Sequence, residues 1–214
     1  MASTQPNVDF DDLAGYHKPL PDRPLSEEEF VAWCDEGVKA EWVDGRVIVM
    51  SPANTAHARL TTFLMNVLSI FVQDRGLGEV FGPELMTRLG PRSRRVPDLM
   101  FVAKERLQNL RPNHLEGAPD LAMEIVSPDS VERDWREKYD DYQAAGVREY
   151  WVIDPANQRV EAYRLVDGAY QRLAHDQGRV ASSVLGGFYL REEWLWRAEL
   201  PKVRDVLQEI ESAN

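Results

Sequence analysis

The chain has 214 residues, of which 43 % are hydrophobic and 29 % are charged, and its formal net charge is −11. These proportions are ordinary for a soluble globular protein, and the length allows one domain with a proper core. They exclude a membrane span, because no apolar run approaches the roughly 20 residues that a bilayer requires. The acidic balance also disfavours nucleic-acid binding by bulk electrostatics, since phosphate contacts need local cations.

Cysteine content and the N-terminal stretch indicate the compartment. Cys34 is the only cysteine, which excludes an internal disulfide and a cysteine-based zinc site. The first residues, MASTQPNVDFDD, carry neither a basic segment nor an apolar one, so no signal peptide is predicted. Together these features predict a cytoplasmic protein.

The domain organisation is simple. Residues 1–24 are polar and carry Pro19, Pro21 and Pro24, which predicts an extended N-terminal arm. Residues 25–214 contain no internal repeat, low-complexity segment or clean linker, which predicts a single domain.

Three elements are predicted in the first third of the chain. LSEEEFVAWCDEG begins a helix with a capping box of Ser26 and Glu29, and Gly37 is its predicted stop. Asp44-Gly45 predicts the turn of a hairpin in AEWVDGRVIVM. A long helix that ends at Gly76 is predicted next, because apolar residues recur at steps of three and four. These residues are Leu60, Phe63, Leu64, Val67, Leu68 and Phe71.

The rest of the chain alternates strands and helices. Short strands are predicted at GEVF and LMTRL, then a strand RVPDLMFV at 95–102, a short helix KERLQNL and a strand DLAMEIVS at 120–127. A helix is predicted from Val131 to Ala145, then a strand in REYWVIDP and a hairpin with Asp167-Gly168 at its turn. PKVRDVLQEI predicts a terminal helix. Hairpins, strands and packing helices in this mixture predict a mixed α/β (α+β) fold.

Two carboxylates stand inside apolar strands, Asp98 in RVPDLMFV and Glu124 in DLAMEIVS. Both strands are apolar on both faces, which is typical of central strands covered by helices. Buried carboxylates are costly unless they are paired, hydrogen-bonded or bound to a metal. Solvent or a backbone N–H at a strand end could satisfy each of them. Both acids lie near the C-terminal ends of the predicted strands, where open sheets bind ligands. A joint functional site is therefore about as well supported as separate structural roles for the two acids.

Lys138 adds a cation to these two acids. In its helix Trp135, Tyr139 and Tyr142 form one stripe, and Lys138 lies about 60° from Trp135, on the edge of that stripe. Its ammonium can therefore reach toward the sheet, although a lysine whose stem packs while its ammonium stays in water is the commoner arrangement. Two carboxylates and a lysine recur in metal-dependent phosphodiester cleavage. The acids hold Mg²⁺, and the lysine orients the water or stabilises developing negative charge.

These residues resemble the PD-(D/E)XK nuclease superfamily, and more closely the Uma-two family, bacterial proteins described as restriction endonucleases. The resemblance covers about residues 39–190. It rests on an ordered series: EWVDGRVIVMSP, His57, RGLGEVF, VPDLMFV, EGAPDLAMEIVSP, the helix with Asp134, Lys138 and Tyr142, GVREYWVIDP and VEAYRL.

The resemblance implies a restriction-endonuclease-like core, a central mixed β-sheet flanked by helices, with Asp98 and Glu124 as metal ligands. The superfamily usually places its lysine two residues after the second acid, where this chain has Val126. The resemblance implies instead a lysine supplied from the next helix, as in relatives of this family, and Lys138 matches that position. Glu41 matches a family acid before the Asp-Gly turn and is expected to complete the metal shell, unless it is an exposed strand glutamate without a role.

Other residues have weaker assignments. His57 could support the metal ligands, but a surface or capping histidine is the preferred interpretation, and Ser127 could hydrogen-bond beside the site or start a helix. Tyr150 and Trp151 are expected in the core. The segment GPRSRRVPD supplies the local basic charge that contact with DNA would need, although a solvated loop explains it equally well. Its three arginines are Arg92, Arg94 and Arg95.

The leading hypothesis is a metal-dependent DNA endonuclease with Asp98, Glu124 and Glu41 on Mg²⁺, Mn²⁺ being the alternative ion, and with Lys138 positioning the water. One alternative is a catalytically silent binding or regulatory module that keeps the nuclease fold. Another is a purely structural cluster of acids and lysine. A homodimer follows from family analogy, because cutting two strands often needs two sites.

Overall fold

The computed structural model describes residues 19–34, 38–128 and 130–213. Most of the predicted arm, residues 1–18, lies outside this part of the chain, and so does Gly37, the predicted stop of the first helix. Residues 19–24 form neither helix nor strand. Within the described ranges, no helix is both long enough and apolar enough to cross a membrane.

The described elements alternate along the chain, as the sequence predicts. The helices are α1 (Glu27–Trp33), α2 (Thr55–Asp74), α3 (Lys138–Ala145), α4 (Glu192–Leu195) and α5 (Val203–Ser212). The strands of the first half are β1 (Ala40–Val43), β2 (Arg46–Val49), β3 (Gly78–Phe81), β4 (Met86–Gly90), β5 (Ser93–Arg95), β6 (Leu99–Ala103) and β7 (His114–Glu116). Those of the second half are β8 (Leu121–Ile125), β9 (Glu149–Asp154), β10 (Arg159–Val166), β11 (Ala169–Arg172), β12 (His175–Asp176), β13 (Arg179–Ala181) and β14 (Tyr189–Arg191). A 3-10 helix spans Lys104–Asn109, and a π-helical segment spans Arg133–Glu137.

Two mixed sheets and one small sheet organise the fold. The largest has the strand order β11-β10-β9-β8-β6-β3, the second has the order β2-β1-β5-β4-β7, and the third has the order β12-β13-β14. β8 is parallel to β9, and β4 is parallel to β7, while their other neighbours are antiparallel. Apolar side chains of α2 pack on one face of the six-stranded sheet, and Tyr142 of α3 packs on the other face. The predicted mixed sheet flanked by helices is confirmed.

Local signals in the sequence place several elements correctly. The capping box of Ser26 and Glu29 is present at the start of α1. The Asp44-Gly45 turn joins β1 to β2 with both residues at positive φ, 49° and 87°. The six apolar residues predicted for the long helix are all buried on α2. Gly76 follows this helix at a φ of 61°.

The predicted strand RVPDLMFV is divided between two sheets. β5 ends at Arg95 in the five-stranded sheet, and β6 begins at Leu99 in the six-stranded sheet. Pro97 stands in the crossing, where its missing N–H and its fixed φ break a strand ladder. Asp98 therefore lies directly before β6, at its N-terminal end. The prediction that it lies inside a strand near the C-terminal end is wrong.

The helix predicted over 131–145 is not a regular α-helix. The backbone N–H of Lys138 donates to the carbonyl of Arg133, five residues earlier, in the π-helical segment. The buried residues here are Asp134, Lys138 and Tyr142, whereas Trp135 and Tyr139 are only partly buried. Trp135 and Tyr139 pack against the same apolar cluster as Tyr142, and the Lys138 ammonium reaches Glu124 of the sheet, as predicted, although the turn before Lys138 is wider than the assumed 100° per residue.

Candidate active site

Asp98 and Glu124 come together because their strands run in opposite directions. In the antiparallel pair of β6 and β8, Leu99 is opposite Met123, so the N-terminal end of one strand meets the C-terminal end of the other. The Asp98 Oδ2 atom accepts a hydrogen bond of 2.7 Å from the backbone N–H of Ile125. Both carboxylates are buried. The two acids therefore meet because their strands are antiparallel, and not because both stand near C-terminal strand ends, as the sequence predicts.

Lys138 places its ammonium among carboxylates. Its Nζ lies 2.7 Å from Glu124 Oε2 and 3.4 Å from an oxygen of both Glu41 and Asp134. Only 3 % of Lys138 is exposed, so the ammonium is not in water. The hydroxyl of Tyr142 donates to the other oxygen of Glu124 at 2.7 Å. Glu124 is therefore held from both sides by groups of one helix.

Glu41 joins the same cluster from β1. Its Oε2 accepts from Arg95 Nη1 at 2.7 Å, and its Oε1 accepts from the backbone N–H of Val96 at 3.1 Å. It is almost fully buried, so the alternative of an exposed strand glutamate is wrong. Both of its oxygens have protein donors, so a contact with a metal would be made by an oxygen that already accepts a hydrogen bond.

The basic segment contacts acids of this chain. Arg95 is 1 % exposed and pairs with Glu41 and Asp141, and Arg94 Nε lies 2.8 Å from Glu27. The prediction that Arg94 and Arg95 contact DNA is wrong, because their guanidinium groups form internal ion pairs. Arg92 alone of the three arginines is exposed.

His57 belongs to the site. Its Nε2 lies 3.1 Å from Asp98 Oδ1, and its Nδ1 is buried with no hydrogen-bond partner among the described residues. Burial by itself lowers the pKa of His57, but the neighbouring Asp98 carboxylate more than offsets this and raises it. Preference for a surface or capping histidine is therefore wrong. The cap of α2 is Asn54, whose side chain accepts from the backbone N–H of His57.

Sequence reasoning gave no role to Ser130, Asp134 or Tyr142. Asp134 is buried, and its Oδ2 accepts a hydrogen bond from the hydroxyl of Ser130. The N–H of Ser127 donates to that hydroxyl oxygen at 3.0 Å, so Ser127 lies one contact further from the acids. A signal for Asp134 and Tyr142 was present, because both stand four residues from Lys138.

Burial controls the protonation of the cluster. It raises the pKa of Glu124 to about 8, and the neighbouring Asp98, Asp134 and Glu41 act in the same direction, against Lys138. Burial also raises the pKa of Asp134. For Lys138, burial alone would lower the pKa, but the surrounding carboxylates raise it well above its usual value.

The donor chemistry of the cluster fits the divalent cation that the resemblance implies. Carboxylate oxygens are the ligands that Mg²⁺ prefers, and Asp98 and Glu124 supply them side by side. The neighbouring Asp98, Asp134 and Glu41 add negative charge around Glu124, which a bound cation would offset. Among the described residues, no three His, Cys, Asp or Glu side chains form a ready metal-binding group. The ammonium of Lys138 lies between the carboxylates and partly neutralises them.

The fold and the comparisons agree on the class of protein. The mixed sheet flanked by helices is a fold of the restriction-endonuclease type, and Asp98 and Glu124 lie at adjacent ends of its interior strands β6 and β8. The family Uma2, described as "Putative restriction endonuclease", matches residues 27–192, and the chain belongs to this family.

Two individual proteins are also similar. "Uncharacterized protein sll1609" of Synechocystis is 28 % identical over 130 residues, which are 60 % of this chain and 73 % of that protein. A crystal structure described as a "putative nuclease belonging to DUF820" from Anabaena variabilis superposes with a TM-score of 0.70 at 22 % identity. The match covers 81 % of this chain and 98 % of that one, and it establishes the shared fold.

Proposed function

We propose that the protein is a Mg²⁺-dependent DNA endonuclease that hydrolyses phosphodiester bonds, with Mn²⁺ as the alternative ion. The observation that carries this proposal is the buried pair of Asp98 and Glu124 with the Lys138 ammonium 2.7 Å from Glu124. Three charged side chains from three separate segments of the chain converge where the ends of the interior strands β6 and β8 meet. Membership of a family described as restriction endonucleases supports the same chemistry.

Each residue has a defined role in this proposal. Asp98 and Glu124 would hold the cation, which when bound supplies polarisation of the phosphoryl group and a lowered pKa of bound water. The N–H of Ile125 and the imidazole of His57 orient Asp98. Lys138 supplies a fixed positive charge for the negative charge that develops on the phosphate, in a site where burial strengthens electrostatics.

Glu41 has a supporting role. Its carboxylate contacts both Arg95 and Lys138, so it links the ammonium to a second buried cation. Burial by itself would raise the pKa of Glu41, but the attraction of Lys138 and Arg95 outweighs it and lowers this pKa. We propose that it steadies Lys138 and reaches the cation only as a third ligand.

Cation binding can be measured apart from cleavage. Thermal melts with Mg²⁺ or Mn²⁺ should show stabilisation of the wild type, by about 1.4 kcal/mol when the ion is at ten times its Kd. Asp98→Asn should abolish the shift. Asp120→Asn is the matched control, because Asp120 is another buried aspartate of this sheet, paired with Arg106 and Arg148. The absence of any shift at millimolar ion in the wild type would contradict the proposal.

Cleavage is tested with supercoiled plasmid and with single- and double-stranded oligonucleotides of DNA and RNA. Lys138→Met should reduce the cleavage rate by roughly a hundredfold, as expected when a positive charge near the reacting phosphate is lost. Lys202→Met, at an exposed position before α5, should cleave like the wild type. Equal rates for wild type and Lys138→Met would refute the assigned role.

One observation favours the silent module as the second candidate. Lys138 already lies between the carboxylates, and the arginines nearest to Asp98 are engaged with internal acids. A wild type that binds a nucleic acid or a protein, but cleaves no nucleic acid with either ion, would support this candidate.

We also propose that residues 25–214 form one domain and that the protein is a homodimer. Two copies would supply the two sites that cutting both strands requires. Light scattering measures the oligomeric state directly, and a monomer at micromolar concentration would refute this part of the proposal.

A further inference from the structure

The turn before Lys138 is wider than an α-helical turn. The N–H of Lys138 donates to the carbonyl of Arg133, five residues earlier. In an α-helix the same N–H would donate to the carbonyl of Asp134, four residues earlier. In the wide turn the Asp134 carbonyl therefore lacks its ordinary α-helical donor, the N–H of Lys138. A buried carbonyl without a donor is costly, so this turn needs another group to stabilise it.

Tyr150 supplies that group. Its side chain is fully buried on β9, and its hydroxyl donates to the Asp134 carbonyl at 2.6 Å. The ring lies 5.1 Å from the ring of Tyr142, which itself donates to Glu124. The expectation that Tyr150 is a core residue is confirmed, and its hydroxyl has a specific partner in the wide turn.

The same turn determines the surroundings of the ammonium. Asp134 Oδ1 lies 3.4 Å from Lys138 Nζ, and the Ser130 hydroxyl holds the other oxygen. Asp134 is thus fixed by its carbonyl and by its carboxylate. Single π-helical turns inside α-helices are frequent at functional sites.

We propose that Tyr150 is a positioning residue of the candidate active site: its hydroxyl stabilises the π-helical turn and so determines where the Lys138 ammonium lies relative to Glu124. This inference rests on the proposed nuclease function. It adds a residue whose hydroxyl donates to the backbone carbonyl of Asp134 rather than to a carboxylate.

The chain offers a matched control in Tyr170. Its hydroxyl donates to the carbonyl of Val147 at 3.0 Å, and its ring lies 6.2 Å from that of Tyr150. Tyr170→Phe removes the same kind of bond from the same group of tyrosines, but outside the π-helical turn. Both substitutions keep the ring.

Kinetics separate positioning from general stability. Tyr150→Phe should reduce kcat for plasmid cleavage by about tenfold to a hundredfold, as small displacements of reacting groups do. KM should stay close to the wild-type value, because no proposed substrate contact is removed. Tyr170→Phe should change neither constant. Wild-type kcat in Tyr150→Phe, or equal losses in the two variants, would overturn the inference.

A second readout does not depend on cleavage. Lysine acylation followed by mass spectrometry compares Lys138, which is 3 % exposed, with Lys39, whose side chain is 52 % exposed. Tyr150→Phe should label Lys138 several-fold faster than the wild type, and Tyr170→Phe should not. If the wild type cleaves no nucleic acid, the proposed function fails, while the labelling comparison still decides whether Tyr150 positions Lys138. Unchanged labelling in Tyr150→Phe overturns the inference.

Deletion of Arg136 tests the turn if Tyr150→Phe does not fold. Arg136 lies within the π-helical segment, its side chain is 78 % exposed, and its removal should restore α-helical hydrogen bonding. The deletion should leave the melting temperature close to that of the wild type and should alter Lys138 labelling and cleavage. A deletion variant that folds and keeps wild-type labelling would overturn the inference.

Discussion

Replacing Arg95 with methionine should destabilise the protein strongly. Its side chain is buried, with Nη1 2.7 Å from Glu41 Oε2 and Nη2 2.7 Å from Asp141 Oδ2. It therefore connects β5 to β1 and to α3. Methionine keeps much of the aliphatic stem, so the substitution removes mainly the charge and its hydrogen bonds.

The size of the effect follows from what the substitution leaves behind. Glu41 would stay buried, with the Val96 N–H and the more distant Lys138 as its remaining donors. Removing one partner of a buried ion pair typically costs about 3–5 kcal/mol. Asp141 is partly exposed and can regain water, so most of the loss comes from Glu41. We expect the free energy of unfolding to fall by about 3–5 kcal/mol, a large fraction of an ordinary domain's stability.

Urea denaturation followed by tryptophan fluorescence measures this loss. Arg92→Met is the control from the same segment, because the Arg92 side chain is 78 % exposed and should contribute little. Arg95→Met combined with Glu41→Gln should recover part of the stability, since the stranded charge is removed. A loss below about 1 kcal/mol for Arg95→Met, or a loss equal to that of Arg92→Met, would refute the reasoning.

Three further changes have defined outcomes. The pKa of Glu124 rises on folding from 4.5 to about 8. Between these values the folded state keeps a proton that the unfolded state releases. The stability of the wild type without divalent ions should therefore fall as pH rises from about 5 to 8. Thermal melts of Glu124→Gln over that range should show a weaker pH dependence. Tyr142→Phe leaves one oxygen of Glu124 without its donor, so the free energy of unfolding measured by urea denaturation should fall by about 1–3 kcal/mol. An unchanged value would contradict the assigned hydrogen bond. Gly78→Ala should lower the melting temperature more than Gly76→Ala, since a Cβ atom at Gly78 would overlap the carbonyl of Val102 whereas the space at Gly76 is open.

Local signals explain which parts of the fold the sequence could predict. The apolar spacing of α2 and the Asp44-Gly45 turn depend on residues close in sequence, and both predictions are confirmed. The strands β12, β13 and β14 were not predicted, because two or three residues are too few to show an alternation.

Partners distant in sequence explain the errors. Arg95 stands in a stretch that has the composition of a solvated loop, and its carboxylates are 54 and 46 residues away. Asp98 and Glu124 were paired correctly, but from an assumed common strand direction. The antiparallel pairing of β6 and β8 cannot be obtained from either strand alone. The regular helical period correctly predicts that Lys138 reaches the sheet, but it does not predict the π-helical turn before this residue.

The charges of the site explain how an acidic chain could still act on a polyanion. Four buried carboxylates face Lys138, Arg95 and His57, and two of these acids have raised pKa values. The site therefore repels phosphate until a proton or a cation compensates the excess. Under the proposed function, Asp98 and Glu124 would hold a divalent ion whose charge takes the place of the proton that Glu124 keeps in the ion-free site. If the proposed function holds, the cation would contribute to substrate binding as well as to hydrolysis, and the first contact with the phosphate would need no extended basic surface.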